Sequence, residues 1–343
     1  MTRATKLSSI LVVFLVVGLI CGVAIQRTWQ AAVSGTIELT QPTIFKVALG
    51  SSANKVLGDL HQQYFNQHPL LIYKLWLKLN PEYSQVKAGT YQLKNGMSLQ
   101  SAFELIRSGR EYTIPVTLIE GLTFSQWLSS LASTDGVVYD IDDVVKANLL
   151  SMWHERMGQP NHAPQLEGLF LADTYYVTLN TKASDVLKRA MLAMVEFLEG
   201  AWRQRAVGLP LQSPYEALTL ASIVEKETAV ASERPLIAGV FVNRLNLNMR
   251  LQTDPTIIYG LGERFDGDIT RKHLREPTPY NTYVIKGLTP TPIAMAGKLA
   301  ITSVLHPTQT DYLYFVSQGD GTHYFSATLA EHNAAVRKYQ LKK

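Results

Sequence analysis

The sequence holds a single cysteine, Cys21, in 343 residues. No disulfide can form within the chain, so stability must come from buried core, which this length permits in two domains of ordinary size. Charge is scarce too. Asp, Glu, Lys and Arg make up 17% of the residues and the formal net charge is +4. Arg3, Lys6 and Arg27 supply three of those charges and no acid precedes Glu38, which leaves about +1 for the remainder. That is no electrostatic footprint for a nucleic acid, and none is expected as a partner. Several catalytic signatures are also missing. There is no HExxH, no GxSxG and no P-loop, and the eight histidines have no ligand spacing. No metal and no cofactor are expected, and His306 and His323 read as turn and surface residues. Internal repeats and low-complexity tracts are absent as well.

One long apolar run stands out. Leu7 to Gln26, LSSILVVFLVVGLICGVAIQ, carries no charge over 20 residues. At ~1.5 Å per residue that crosses a hydrocarbon core of ~30 Å. Arg3 and Lys6 precede it and Arg27 follows, a two-to-one bias that favours a cytoplasmic amino terminus. A cleaved signal peptide would have a shorter apolar region and a small-x-small site, and GVAIQ is a poor one. Cys21 lies inside the run behind Ile20, a poor context for a lipid anchor. The expected organisation is a stub at 1–6, a transmembrane helix at 7–27, a polar linker at 28–40, a small α+β domain at 41–113 and a larger α+β domain at 114–343.

Within the small region, TIFKVAL and KAGTYQL read as strands, with two amphipathic helical runs between them and a third helix capped at Ser98 and ended by Gly109. In the larger region a helix starts near Thr123 and another follows in ASDVLKRAMLAMVEFLEGAWRQRA. Ser213-Pro214-Tyr215-Glu216 has the form of a capping box with Pro at the first helical position. Ser232 suits the N-cap of the next helix, and a Gly-Asp-Gly hairpin precedes a terminal helix.

The helix begun at Pro214 ends in two carboxylates, Glu225 and Glu227. Advancing ~100° per residue places Glu227 in the stripe of Ala217, Leu220, Ile223 and Val224, with Lys226 on the polar side and Glu225 outside the stripe. The phase therefore predicts a buried Glu227 and a wet Glu225. A carboxyl in apolar surroundings has its charged form disfavoured and suits a general acid near neutral pH. The plain alternative is that Glu227 closes the last turn, ion-paired with Arg234 or Arg244.

ASIVEKETAVASERPLIAGVFVNRL, MRLQTDPTIIYG, PYNTYVIKGLTPTPIAMAG and YLYFVSQGDGTHYFSATLAEHN together resemble the endolytic murein transglycosylases, the MltG/YceG-like family. The likeness extends over nearly the whole chain, including the apolar run, KAGTYQL and EGLFLADTYY. Two segments depart from the family pattern. Thr289 replaces the first Pro of a usual Pro-Pro, and Leu171-Ala172 stand where Phe-Pro or Trp-Pro is usual; both read as changes of loop shape. The resemblance implies a small LysM-like domain and a catalytic glutamate in a cleft of the larger domain. That glutamate maps to Glu227, with Glu225 as the fallback, and Glu227-Thr228 is similar to the Glu-Ser step of lysozyme-like lytic transglycosylases. It implies cleavage of peptidoglycan between MurNAc and GlcNAc to leave 1,6-anhydro-MurNAc ends, with no cofactor. Thr228, Arg244, Gln252, Asp254, Tyr280, Asn281 and Tyr283 are the expected substrate-binding residues. Asp254, Glu263, Asp266, Asp268 and Glu276 are candidates for a second carboxylate if the enzyme were a hydrolase. Expected partners are glycan strands, the cytoplasmic (inner) membrane, and peptidoglycan synthases or division proteins, with the larger domain periplasmic. A non-catalytic, membrane-tethered scaffold is the rival reading.

Overall fold

The computed structural model of the protein describes residues 3–158 and 163–341, with side chains described from residue 12. The terminal residues of the expected stub, and the side chains of its basic flank Arg3 and Lys6, lie outside the described residues. The fold is mixed α+β and divides into two compact units, Met1–Ile114 and Pro115–Lys343.

The first unit opens with helix α1 (Arg3–Ser34), followed by β1 (Thr43–Val47), α2 (Ala53–Tyr64), α3 (Leu70–Leu79), β2 (Gly89–Leu93) and α4 (Leu99–Ser108). Val12–Ser34 of α1 is long and apolar enough to span a membrane, with a mean hydropathy of 1.9. Its large apolar residues from Val12 to Ile25 are exposed. β1 and β2 pair antiparallel, Thr43 opposite Leu93 and Val47 opposite Gly89. The Ser52 side chain accepts the Lys55 N–H at the start of α2, and Ser98 accepts the Ser101 N–H at the start of α4. Gly109 closes α4 at φ 71°, a left-handed conformation that a Cβ would oppose. Trp76 stacks on Tyr83 at 5.1 Å between ring centres and meets Phe103 at 5.7 Å. Each such side chain contributes on the order of 2 kcal/mol by burial.

The stretch 28–40 is not the linker that its composition suggested. α1 continues to Ser34, and Ala32 and Ile37 are buried in the core of the first unit. Ile37 also exchanges backbone hydrogen bonds with the turn before α4, donating to the Met97 carbonyl and accepting from Gly96 N–H. Trp29, Ala32, Val33 and Ile37 supply the apolar surface that anchors a stretch otherwise polar in composition.

The second unit begins in β3 (Thr113–Leu118), which carries the chain across the boundary. It continues through α5 (Phe124–Ala132), β4 (Val137–Val138), α6 (Asp143–Met157), β5 (Asp173–Thr178), β6 (Thr181–Lys182), α7 (Ala183–Arg203), α8 (Pro214–Glu227), α9 (Arg234–Asn246), α10 (Asp254–Leu261), α11 (Lys298–Leu305), β7 (Tyr314–Ser317), β8 (His323–Ser326) and α12 (Leu329–Tyr339). Its strands pair two by two, β3 with β5, β4 with β6 and β7 with β8. The core is helical, and α8 lies in the middle of it against α7, α9, α10 and α11. Thr123 and Gln126 form a complete capping box on α5. At α8 only half of the expected box forms. Ser213 accepts the Glu216 N–H, but the Glu216 carboxylate takes the Gln212 N–H at 2.6 Å. Ser232 caps nothing: Ala231–Glu233 is a 3-10 turn, and α9 starts at Arg234 with Glu233 in the cap position. α6 has no counterpart in the sequence reading, because its apolar residues are spread round the helix and only Leu149 and Trp153 are buried.

Candidate active site

α8 ends at Glu227, and Thr228 leaves it in an extended conformation, φ −146° and ψ 137°. The two carboxylates of the final turns have different surroundings. Glu225 is buried and fully committed: Oε1 accepts from Arg234 Nη2 at 2.9 Å and Oε2 accepts the Gly297 N–H at 2.9 Å. The expectation of a wet Glu225 is thus overturned. Residues Tyr215 and Ala217 through Glu225 are all buried, so α8 has no solvent face until its last turn and helical phase loses its meaning there. Arg234, offered above as a partner for Glu227, is taken by Glu225.

Glu227 is partly exposed, and borders an open pocket of about 550 Å³. Its carboxylate accepts a hydrogen bond from the Thr253 hydroxyl. Thr253 is itself fixed by two buried threonines. Its N–H donates to Thr282 Oγ1 at 3.0 Å and its carbonyl accepts from Thr256 Oγ1 at 2.7 Å. The preceding residue, Gln252, has φ 52°, a left-handed conformation at a residue other than glycine. That turn, which costs of order 1 kcal/mol, presents Gln252, Thr253 and Asp254 together to the pocket. Burial is the main force on Glu227 and raises its pKa to about 6. The Thr253 hydrogen bond and the charges of His323 and Arg244 oppose that rise, and the Asp254 charge adds to it.

Of the residues expected to bind substrate, the pocket gathers Arg244, Gln252, Asp254 and Tyr283 around Glu227. Arg244 is held by backbone carbonyls: Nε donates to Leu313 at 2.6 Å and Nη1 to Leu251 at 2.7 Å, with its guanidinium over the Tyr314 ring. Asp254 accepts from the Tyr283 hydroxyl at 2.7 Å, and burial together with this bond pushes the Tyr283 phenol up. Thr228 is buried and does not line this pocket, accepting the Val230 N–H and donating to Glu233. Tyr280 and Asn281 do not line this pocket. Tyr280 bonds Thr291 and packs on Tyr259, while Asn281 is buried and ties the His273 and Glu276 carbonyls. Among the second-carboxylate candidates only Asp254 lines it. Glu263, Asp266 and Asp268 are exposed elsewhere, and Glu276 pairs with Arg264. Among the described residues no group of three or more His, Cys, Asp or Glu could hold a metal ion.

A profile of the YceG-like family matches residues 45–338. The chain belongs to the YceG-like family. It is 35% identical over 277 residues to the endolytic murein transglycosylase of Bacillus subtilis, an alignment covering 75% of this chain and 74% of that protein. The endolytic murein transglycosylase of Streptococcus pneumoniae D39 is 28% identical over 320 residues, 84% of this chain but 57% of the pneumococcal protein, so the chain spans little more than half of that relative. The crystal structure of a YceG-like protein from Listeria monocytogenes superposes with a TM-score of 0.55 at 27% identity, covering 86% of this chain and 99% of that one.

The far wall of the pocket in this YceG-like protein was missed in the sequence. β7, β8 and α12 contribute Tyr314, Ser317, His323, His332 and Asn333. His323 is no surface residue: Nδ1 lies 2.7 Å from Glu233 Oε2, and its N–H donates to Glu233 Oε1 at 2.8 Å. This doubly bonded pair ties the hairpin to the turn that follows Glu227. A sequence signal existed in the segments THYF and EHN, but nothing in their spacing links them to residues about 90 positions earlier. Glu227 also borders a second depression, of about 430 Å³, formed by Glu120–Leu122, Lys226, Thr228, Ala229 and Arg234. One further carboxyl is perturbed. Burial lifts Glu167 to about 7, but it lines neither depression and instead accepts the Phe124 N–H at the start of α5.

Proposed function

We propose that this protein is a membrane-anchored endolytic lytic transglycosylase of peptidoglycan, with Glu227 as acid and then base. The observation that carries the reading is the position of Glu227, at the end of a buried helix and on an open pocket, with a pKa of about 6. Protonated Glu227 gives its proton to the glycosidic oxygen as the bond from MurNAc C1 breaks. The C6 hydroxyl of the same sugar attacks C1, and its proton passes to the Glu227 carboxylate. A C–O bond breaks, a C–O bond forms, and the acid is regenerated with no water consumed. The Thr253 hydroxyl steadies the carboxylate between the two transfers, and Arg244 and His323 favour its charged state. Glu227 borders two depressions, which supports room for glycan beyond the cleaved bond, as internal cleavage requires.

In this reading Arg244, Gln252, Asp254 and Tyr283 supply donors, acceptors and a stacking face for sugars. The strand–helix–helix–strand order of the first unit is LysM-like and holds glycan. α1 crosses the cytoplasmic membrane with its amino terminus inside, so the protein works in the periplasm on nascent strands near their synthases. Asp254 in the same pocket favours one other reading, a two-carboxylate muramidase. Mass spectrometry of products from uncross-linked glycan decides. A lytic transglycosylase gives anhydro ends one water lighter than the reducing ends of a hydrolase. Glu227→Gln should give neither. Unchanged cleavage by that variant would assign the chemistry to another acid, and no cleavage by the wild type would favour a scaffold.

A further inference from the structure

α3 sends Tyr73, Trp76 and Leu77 into the core of the first unit. Its opposite face is Leu71, Lys74, Leu75, Lys78 and Leu79, spaced i, i+3, i+4, i+7 and i+8 and exposed throughout. The three leucines are 76%, 48% and 63% exposed. Single exposed leucines are ordinary, but three in register beside two lysines on a ten-residue helix without an acid are a designed surface.

We propose that this stripe of α3 lies on the anionic surface of the bilayer from which α1 emerges. The proposal rests on reading α1 as a membrane span. Trp29, Ala32 and Val33 of α1 pack in the same core as Tyr73, Trp76 and Leu77 of α3. Ala32 lies six residues beyond Gln26, where the uncharged run ends. That is about 9 Å along the helix, against a headgroup layer of roughly 5–8 Å. α3 therefore sits at the outer edge of the headgroup layer whenever α1 spans. The bilayer reaches it without a separate binding event, an advantage no diffusing protein partner has. Leucines entering the acyl boundary and lysines reaching back to lipid phosphates are the two halves of interfacial binding.

The test uses the full chain with Cys21→Ala and Leu75→Cys, spin-labelled at residue 75, in liposomes of phosphatidylethanolamine and phosphatidylglycerol. The label should collide with oxygen more than with an aqueous nickel chelate. Lys74→Glu with Lys78→Glu should reverse that order, since each lysine strengthens partition roughly fivefold near an anionic surface, on the order of 25-fold together. A label open to the chelate regardless of charge would overturn the proposal. So would a label shielded from both reagents, which would mean that a protein covers the stripe. Loss of flotation after alkaline carbonate would remove the span and the proposal together, whereas flotation with an aqueous label would remove the proposal alone.

Discussion

Replacing Glu227 by Gln should abolish cleavage and at the same time stabilise the protein, by an amount that depends on pH. Burial raises the carboxyl from 4.5 to about 6. Between those values the folded chain keeps a proton that the unfolded chain has released. Stability therefore falls as pH rises through this window, and the deficit is constant above it. At 1.36 kcal/mol per pH unit, the ionised side chain costs about 2 kcal/mol above pH 6. Gln has nearly the same shape, does not ionise, and can still accept from Thr253. The gap between Glu227→Gln and wild type should then be near zero below pH 4.5 and grow to about 2 kcal/mol at pH 7.5. For a unit of this size that is a rise in Tm of roughly 4–8 °C. Differential scanning calorimetry across pH 4–8 measures it, and other titrating groups cancel in the difference. The same shift has a functional side. At pH 7 a carboxyl of pKa about 6 is protonated in roughly one molecule in ten, against about one in three hundred at 4.5. A pH-independent gap, or a less stable Gln variant at pH 7.5, would refute the argument that its surroundings raise the proton affinity of Glu227.

Thr253→Val removes a donor that favours the charged form of Glu227. The limb of the activity profile that reports loss of the acid's proton should move to higher pH by roughly half to one unit, read from pH–rate curves on isolated glycan. Arg234→Met leaves the Glu225 carboxylate buried with only the Gly297 N–H as partner. It should destabilise by about 3–5 kcal/mol, a drop in Tm of roughly 10 °C, and adding Glu225→Leu should recover much of it.

The family and the candidate acid were legible in the primary structure because both are local. An uncharged run long enough for a bilayer, the caps at Ser98 and Thr123, and the helix that closes on Glu227 each depend on residues within a few positions of one another. What packing alone decided is the meaning of those residues. Glu225 looked solvent-facing by helical phase and is instead locked to Arg234 and Gly297, because α8 is enclosed on all sides. Composition suggested a linker where the end of α1 is packed into a core. The second wall of the pocket comes from a hairpin and helix about a hundred residues beyond Glu227, brought there by contacts such as Glu233 with His323. Chain periodicity reports which side of an element is apolar. It says nothing of which distant element will cover that side, and that covering set the proton affinity of Glu227.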